Sequence, residues 1–179
     1  MTDLTDESLL KTLCNGEIKS LGILYERYKG ILHNYFLRVT GDQEASNDLL
    51  MATFERIYKY RHSYESRKKV RPWIFQIASN LIKDHYKKSN RWVSINTSHY
   101  KNEAMNTEVS IDIAAKHKKL HKALHQLKPS QRNIISMYYL LGMSYQDISL
   151  SENISVNNAR IKTCRALKKL KEILKDSDL

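Results

Sequence analysis

Apolar residues recur at spacings of three and four along most of this 179-residue chain, and this periodicity limits the fold more than any other feature. Runs in which apolar and polar residues alternate, as they do in half-buried strands, are few. Only five Gly and two Pro interrupt the pattern. The sequence therefore predicts an all-α protein.

The first half of the chain contains four of these periodic segments. Gly16 and Gly41 follow the first two and are predicted to end them. Residues 61–70 have no periodic apolar stripe and are interpreted as a basic loop. Helices that bury such stripes against one another form a compact four-helix bundle. The expected helices cover residues 3–14, 21–39, 44–60 and 71–91.

The last third of the chain predicts a helix-turn-helix. Pro129 suits the first turn of a helix that Gly142 ends. Ser144 begins a capping-box sequence that opens a short helix, and Ser155 is expected to cap the next one. Two short helices joined in this way are typical of the helix-turn-helix motif. The residues of the second helix that we expect to point inward are Val156, Ala159, Ala166 and Leu170.

Residues 92–115 differ in composition from both neighbours, because Asn, Ser and Thr are frequent and apolar residues are scattered. We interpret this stretch as a polar linker between two small helical domains, residues 1–91 and residues 116–179. The alternative is a pair of loops inside one domain.

The net charge of +11 and the pI near 9.6 favour an anionic partner. The charge is unevenly distributed. Residues 1–60 hold seven Lys and Arg against nine acidic residues, residues 61–91 hold nine against two, and residues 92–179 hold fourteen against eight. The first segment is therefore predicted to supply core and a protein-binding surface, and the later segments to face nucleic acid.

Other classes of protein find little support in the sequence. Cys14 and Cys164 have no nearby partners, which argues against a disulfide framework or a Cys-rich metal site and favours a reduced, cytoplasmic setting. No stretch approaches the roughly 18 apolar residues of a membrane span. His117, His121 and His125 are spaced for one helix face, but no acidic or Cys ligands converge on them. We find no catalytic set, so we expect neither an enzyme nor a cofactor.

Residues 71–91 form the segment with the clearest functional pattern. One face of the predicted helix is apolar, whereas Asn80, Lys83, Asp84, Lys87 and Lys88 fall on the others. Opened nucleic acid is bound by cations that contact phosphates, aromatic rings that stack on bases, and amide or carboxylate groups that contact base edges. The alternative is an ordinary Lys-rich surface helix.

Five short stretches follow one another in a telling order. They are YERY at 25–28, DLL at 48–50, VRPWIFQIASNLIKD at 70–84, LKPSQR at 127–132 and GMSYQDI at 142–148. In these pieces and their order the chain resembles a bacterial extracytoplasmic-function sigma factor of the sigma-70 family. The resemblance implies a protein that binds core RNA polymerase and directs promoter-specific initiation by recognising and melting the minus-ten region. It also implies that the N-terminal bundle is sigma region 2 and the helix-turn-helix is sigma region 4.

The resemblance also assigns candidate site residues. Those implied to contact the coiled coil of the largest polymerase subunit are Asp48, Leu49, Met51 and Phe54. Those implied at the minus-ten DNA are Tyr64, Lys68, Lys69, Arg71, Trp73, Asn80, Lys83, Asp84, Lys87, Lys88 and Arg91. Those implied at the minus-thirty-five DNA are Arg132, Ser144, Tyr145, Ser155, Asn157, Asn158, Arg160, Lys162 and Arg165.

Several of these residues also have simpler interpretations. Asp48 would suit a helix cap, Leu49 and Trp73 would suit the core, and the cations would suit a solvated face. The loop of residues 62–69 matches the family segment that accepts a flipped minus-ten base, for which Tyr64 is the natural stacking candidate.

The chain departs from the family pattern in two places. Met51 and the following Ala replace an amide and an acid of the docking segment. In the helix-turn-helix, Glu152 occupies a usually apolar position, Asn153 replaces a Gly, Thr163 replaces a large aliphatic residue, and residues 157–159 differ. We therefore expect altered minus-thirty-five recognition. We also hypothesise that an additional DNA-bound protein recruits the chain through its C-terminal domain.

The implied partners are promoter DNA and core polymerase, through its coiled coil and its flap, and an anti-sigma protein is a further candidate. One rival interpretation is a two-domain helix-turn-helix regulator that binds duplex DNA without polymerase. Another is a small nuclease, which would need clustered carboxylates for Mg²⁺ that the sequence does not offer.

Overall fold

The computed structural model describes residues 4–65, 67–92 and 111–176, with only the backbone of residues 89–92 and 111–118. All regular structure in these ranges is helical, which confirms the all-α prediction. A 3-10 turn, Arg61–Ser63, follows α3, and a π-helical turn, Ser136–Leu140, follows α6. The helices are α1 Asp6–Cys14, α2 Lys19–Thr40, α3 Gln43–Tyr60, α4 Val70–Trp92, α5 Ile111–Gln126, α6 Pro129–Ile135, α7 Tyr145–Glu152 and α8 Val156–Asp176.

Short-range side-chain contacts explain where the first helices begin and end. The Thr5 hydroxyl accepts a hydrogen bond from the backbone N–H of Ser8 at 3.2 Å, which caps α1. Asp42 caps α3 in the same way, and Gly41 ends α2 in the left-handed conformation with φ +75°. Asp48 lies inside α3, so its interpretation as a helix cap is wrong.

Helices α1–α4 form the predicted bundle. α2 packs against α1 and α3, and α3 packs against α4. The apolar stripes meet in an interior where Tyr35 and Phe75 contact edge to face, with ring centroids 5.5 Å apart. Other fully buried residues of this interior are Leu9, Leu10, Leu13, Leu24, Leu32, Phe36, Ile57 and Ile74.

The start of the C-terminal helices differs from the prediction. α5 begins at Ile111, so the predicted linker of residues 92–115 extends five residues too far at its C-terminal end. The first residue of that linker belongs to α4, and residues 93–110 lie outside the described ranges. Pro129 is the first residue of α6, as expected, because the ring of Pro fits the first helical turn.

The helix-turn-helix forms as predicted, with one exception. The Ser144 hydroxyl accepts from the backbone N–H of Asp147 at 3.1 Å, and Asn153 ends α7 in the left-handed conformation with φ 53°. Ala159 is fully buried in α8, but Val156 is 41% exposed. The prediction that Val156 points inward is wrong because this residue is the first of α8 and projects past the packed helices.

The C-terminal helices pack directly on the bundle. α7 lies against α4, and α6 lies against α2. The buried apolar residues of all these helices form one continuous cluster. No helix in the described parts of the chain has an apolar stretch long enough to cross a bilayer.

Candidate polymerase and nucleic-acid interfaces

The predicted polymerase-binding residues separate into two pairs on α3. Asp48 and Met51 are exposed, and Met51 is 55% exposed. Leu49 and Phe54 are only 6% exposed, and the Phe54 ring packs edge to face on Tyr25. In this fold the side chains of Leu49 and Phe54 stabilise the bundle, and their contact with polymerase stays a prediction.

A cleft of about 850 Å³ separates α3 from α4 beside Asp48. The α3 wall is mainly acidic but includes Arg56, and the α4 wall is mainly basic but includes Asp84. This cleft joins the two predicted surfaces, polymerase-binding and DNA-binding. Its charged lining residues are Asp42, Glu44, Asp48, Arg56, Asp84, Lys87 and Lys88.

The predicted aromatic contacts with DNA lie side by side at the start of α4. Trp73 and Tyr64 are both half-buried and meet edge to face, with ring centroids 5.4 Å apart. The Tyr64 hydroxyl donates to the carbonyl of Lys68, which joins two residues of the loop before α4. Burial, helped by the charge of Glu7, raises the pKa of Tyr64. Trp73 therefore both packs and presents part of its ring outward.

The remaining predicted minus-ten residues of α4 are mostly on the surface. Asn80, Lys87 and Lys88 are exposed. Asp84 is half-buried and forms an ion pair with Arg56 at 3.1 Å. That pair orients the carboxylate across the cleft between α3 and α4. Arg91 lies in α4, but its side chain is outside the described residues, and Lys68 is exposed and pairs with Glu65.

Three predicted minus-ten cations contact the C-terminal helices instead of standing free. Arg71 donates to the carbonyl of Leu141 at 2.6 Å. Lys83 forms an ion pair with Glu152 at 3.0 Å, and Lys69 approaches Asp147 at 3.7 Å. In this arrangement the helix-turn-helix covers one side of α4.

Glu152, which had no evident place in the sequence, lies at the centre of this contact. Its side chain is 14% exposed and accepts hydrogen bonds from the Ser79 hydroxyl and from Nδ2 of Asn133, the latter at 2.9 Å. Asn133 in turn accepts from the Tyr35 hydroxyl. The acid therefore fits because polar groups of α2, α4 and α6 surround it. The sequence offered one signal for this network, since Ser79 and Asn133 interrupt apolar stripes.

Arg132 is 5% exposed and makes structural contacts in this arrangement, so its contact with minus-thirty-five DNA stays a prediction. Its guanidinium donates to the carbonyls of Leu124 and His125, each at 2.9 Å, and to that of Leu127 at 3.2 Å. Leu124 and His125 lie in the last turn of α5, where carbonyls lack intrahelical donors, and Leu127 directly follows the helix. The Leu124 carbonyl also accepts from the backbone N–H of Leu127 at 3.2 Å. A further bond from Arg132 reaches the carbonyl of Val39 at the end of α2. Arg132 thus ties two helix ends together.

The other predicted minus-thirty-five residues lie on the helix-turn-helix surface. Ser144 and Ser155 are exposed, and each caps the helix that follows it. Tyr145 is half-buried, stacks on Tyr138 and carries the Arg160 guanidinium 5.6 Å from its ring centroid. The exposed members on α8 are Asn157, Asn158, Arg160, Lys162 and Arg165. DNA contact by these side chains stays a prediction.

The predicted histidine face contains one close pair among the described side chains. The rings of His121 and His125 lie 4.7 Å apart. Burial and the neighbouring charge of Arg132 lower the pKa of His125 to about 3, so its ring is neutral near pH 7. Within the described ranges no group of His, Cys, Asp and Glu side chains is arranged to hold a metal ion. The side chain of His117 lies outside those ranges.

Comparison with known proteins places this geometry in a family. The family model of Sigma-70 region 2 matches residues 24–92, and that of Sigma-70, region 4 matches residues 117–170. The ECF RNA polymerase sigma factor SigM of Bacillus subtilis is 30% identical over 84% of this chain and 92% of its own length. The RNA polymerase sigma factor CarQ of Myxococcus xanthus is 27% identical over 87% and 90%.

Solved structures agree in fold. CnrH, in complex with the cytosolic domain of CnrY, superposes with a TM-score of 0.72 at 19% identity, covering 97% of this chain and 99% of CnrH. The sigma factor RpoE from Bartonella quintana, in complex with the anti-sigma factor NepR, gives 0.67 at 20% identity, covering 85% and 96%. The matches to both sigma regions, with a full-length relative at 30% identity, show that the chain belongs to the extracytoplasmic-function sigma factors of the sigma-70 family.

Proposed function

We propose that this sigma factor divides its work among three surfaces. The outer face of α3 binds core polymerase, α4 with the preceding loop opens and reads the minus-ten region, and α8 contacts the minus-thirty-five region. The proposed domains are the bundle of helices α1–α4 and the unit of helices α5–α8, joined by the intervening segment. The single observation that carries the proposal is the exposure of Asn80, Lys87 and Lys88 on the helix that also holds the Trp73–Tyr64 pair.

The polymerase surface is proposed around Asp48 and Met51. Both side chains are exposed on α3, in the part of the chain that has an acidic balance. Protein interfaces bury an apolar centre within a polar rim, and Met is enriched at such centres. An exposed Met beside an Asp supplies both parts of that pattern.

The minus-ten surface combines groups with different tasks. The amide of Asn80 has the donor and acceptor needed to read a base edge. Tyr64 and Trp73 offer ring surface on which an unpaired base can stack, and Lys87 and Lys88 suit phosphate contacts that carry no sequence information. We propose no enzymatic step, because every task assigned to these side chains is binding.

The minus-thirty-five surface is proposed at the start of α8, where the second helix of a helix-turn-helix meets base edges. Asn157, Asn158 and Arg160 are exposed there. Glu152 is no longer a reason to expect weak minus-thirty-five recognition, because its carboxylate accepts hydrogen bonds inside the protein. Recruitment by another DNA-bound protein therefore rests on the substituted residues 157–159. It would be refuted by strong initiation with polymerase alone that depends on a defined upstream element.

An anti-sigma partner is proposed by analogy with two structural neighbours. CnrH is seen with the cytosolic domain of CnrY, and RpoE is seen with the anti-sigma factor NepR. A protein that binds this chain and prevents its association with core polymerase would fill the same role.

Co-purification with core polymerase at low salt tests the proposed function. The wild-type protein is expected to form a stable complex, and Met51→Asp is expected to weaken it at least tenfold. Ile18→Asp is the matched control, because Ile18 is also apolar and exposed but lies outside α3. Failure of the wild-type protein to bind core polymerase, combined with tight binding to duplex DNA alone, would favour the two-domain regulator instead.

A further inference from the structure

The two proposed DNA-reading units touch each other in this structure. α7 of the helix-turn-helix lies along α4, and the Ser151 hydroxyl donates to the carbonyl of Pro72 at 2.9 Å. Arg71, at the start of α4, donates to the carbonyl of Leu141. We call this arrangement the closed form. Ser151 is fully buried in the contact, so the surfaces meet without a gap at that point.

The closed form cannot engage both promoter elements at once. Elements named for positions ten and thirty-five lie about 25 base pairs apart, or about 85 Å along the duplex at 3.4 Å per step. A compact chain of 179 residues has a radius of gyration of only about 16 Å. Reading both elements therefore requires α7 to leave α4.

The intervening segment is long enough for this separation. Eighteen residues lie between the end of α4 at Trp92 and the start of α5 at Ile111. A segment of that length spans at most about 60 Å when extended, to which the widths of the two helical units are added. The covalent connection therefore permits the open arrangement that the promoter demands.

Polar groups hold the centre of the closed contact. Glu152 accepts from Ser79 and Asn133 and pairs with Lys83. All of these groups can exchange their partners for water when the helices separate, whereas an apolar side chain at this position would gain nothing from exposure. Glu152 therefore makes it easier to separate the two helical units than an apolar residue at the same position would.

We propose that Glu152 is a latch that keeps the free protein closed, and that binding to core polymerase and promoter DNA requires the latch to open. This inference rests on the proposed function, because it concerns access to the same surfaces. Closure pairs the exposed cations Arg71 and Lys83 with the C-terminal helices, so their contacts with DNA compete with these pairs until release.

The latch sets how strongly the chain binds its partners. When the competent form is a fraction of the population, apparent affinity falls by that fraction, so a 1% open population lowers it about 100-fold. Replacing Glu152 with Ala leaves Ser79 and Asn133 without their acceptor only in the closed form. The variant is therefore expected to raise the open-to-closed ratio at least tenfold and to strengthen polymerase binding.

Distance measurement in the free, full-length protein tests the latch. One spin label is placed on Cys164, which is exposed on α8, and the other on Lys19→Cys at the exposed start of α2, away from the proposed polymerase surface, with Cys14→Ser removing the remaining thiol. The background protein is expected to show one short distance, and Glu152→Ala a second, longer population. Glu172→Ala is the matched control, because Glu172 is an exposed acid on α8 that pairs only with Lys169 among the contacts above.

Ser79→Ala provides a milder second variant, since it removes one donor and keeps the charge of Glu152. It is expected to shift the distribution in the same direction by a smaller factor. Far-ultraviolet circular dichroism establishes that each variant is helical. An unchanged short distance in helical Glu152→Ala and Ser79→Ala proteins, or a long distance in the background protein, would overturn the latch.

Adding core polymerase separates failure of the latch from failure of the proposed function. A complex that retains the short distance refutes the latch and leaves the proposed function standing. Lack of any complex refutes the proposed function, while the distance change in free Glu152→Ala still supports the latch.

Discussion

Replacement of Arg132 by Ala is expected to destabilise the protein severely, although the sequence had suggested a DNA contact. The side chain is buried and joins the end of α5 to the end of α2. Removing it would take the guanidinium donors from the carbonyls of Leu124 and His125, although the Leu124 carbonyl keeps the backbone N–H of Leu127. Stability, rather than DNA affinity, should therefore show the first effect.

The magnitude follows from the number and kind of bonds lost. Hydrogen bonds from charged donors contribute about 1.5–3 kcal/mol each, but one guanidinium shares its charge among all of its acceptors. Removal of one partner from a buried charged contact typically costs about 3–5 kcal/mol. Because water can reach part of the α5 end after truncation, we expect Arg132→Ala to lower the free energy of unfolding by about 3 kcal/mol.

Urea denaturation followed by circular dichroism at 25 °C measures this loss. Arg160→Ala serves as the control, because Arg160 is exposed and such a change usually alters stability by less than about 0.5 kcal/mol. Arg132→Lys keeps the charge but lacks the planar fork, so an intermediate loss is expected.

A loss below about 1 kcal/mol for Arg132→Ala, with an unchanged denaturant slope, would refute the reasoning. It would mean that the guanidinium contributes little to folding, and the prediction of a DNA contact would gain support. A similar loss for Arg160→Ala would also count against the argument, because it would remove the contrast between buried and exposed positions.

Three further outcomes follow from the backbone and from one buried ring. Gly41→Ala is expected to lower the free energy of unfolding by more than about 1 kcal/mol, because φ is +75° and an added Cβ would lie 2.5 Å from Cε1 of His125. Gly30→Ala, in the open middle of α2, is expected to raise the free energy of unfolding by about 0.5–1 kcal/mol in the same urea titration. The pKa of His125 is about 3 in the folded protein and 6.5 in the unfolded chain, so between these pH values only the unfolded chain binds the proton. The free energy of unfolding therefore falls as the pH decreases from 6.5 towards 3. Urea titrations at pH 7 and pH 5 measure that fall, which His125→Gln should reduce; an equal fall in the variant would contradict the assignment. Asn153→Ala is expected to cost about 1 kcal/mol because Ala resists the left-handed turn, whereas Asn153→Gly should be close to neutral.

Local rules predicted the helices well because the relevant forces act within a few residues. Gly41, Pro129, Ser144 and Asn153 each act on the backbone beside them, and the structure places all four at helix ends. The end of the linker was missed because the polar character of the preceding residues was extended through residues 111–115, although four of these five residues are Ile or Ala and can form a helix.

Side-chain roles were harder to predict, since they depend on which helices meet. Leu49 and Phe54 match a docking motif, but a match along the chain does not say which face of α3 is buried. The structural contacts of Glu152 and Arg132 were missed for a related reason. Their partners come from α4, α5, α6 and the end of α2, and no pattern within the helix-turn-helix sequence identifies those neighbours.

The central claim is that this chain gives core polymerase its choice of promoter. Transcription by purified core polymerase on genomic DNA fragments, with 5′ ends mapped in the presence and absence of the protein, tests it most directly. The account predicts discrete start sites that appear only with the protein, share a minus-ten sequence and weaken with Asn80→Ala. Identical transcripts with and without the protein would contradict it.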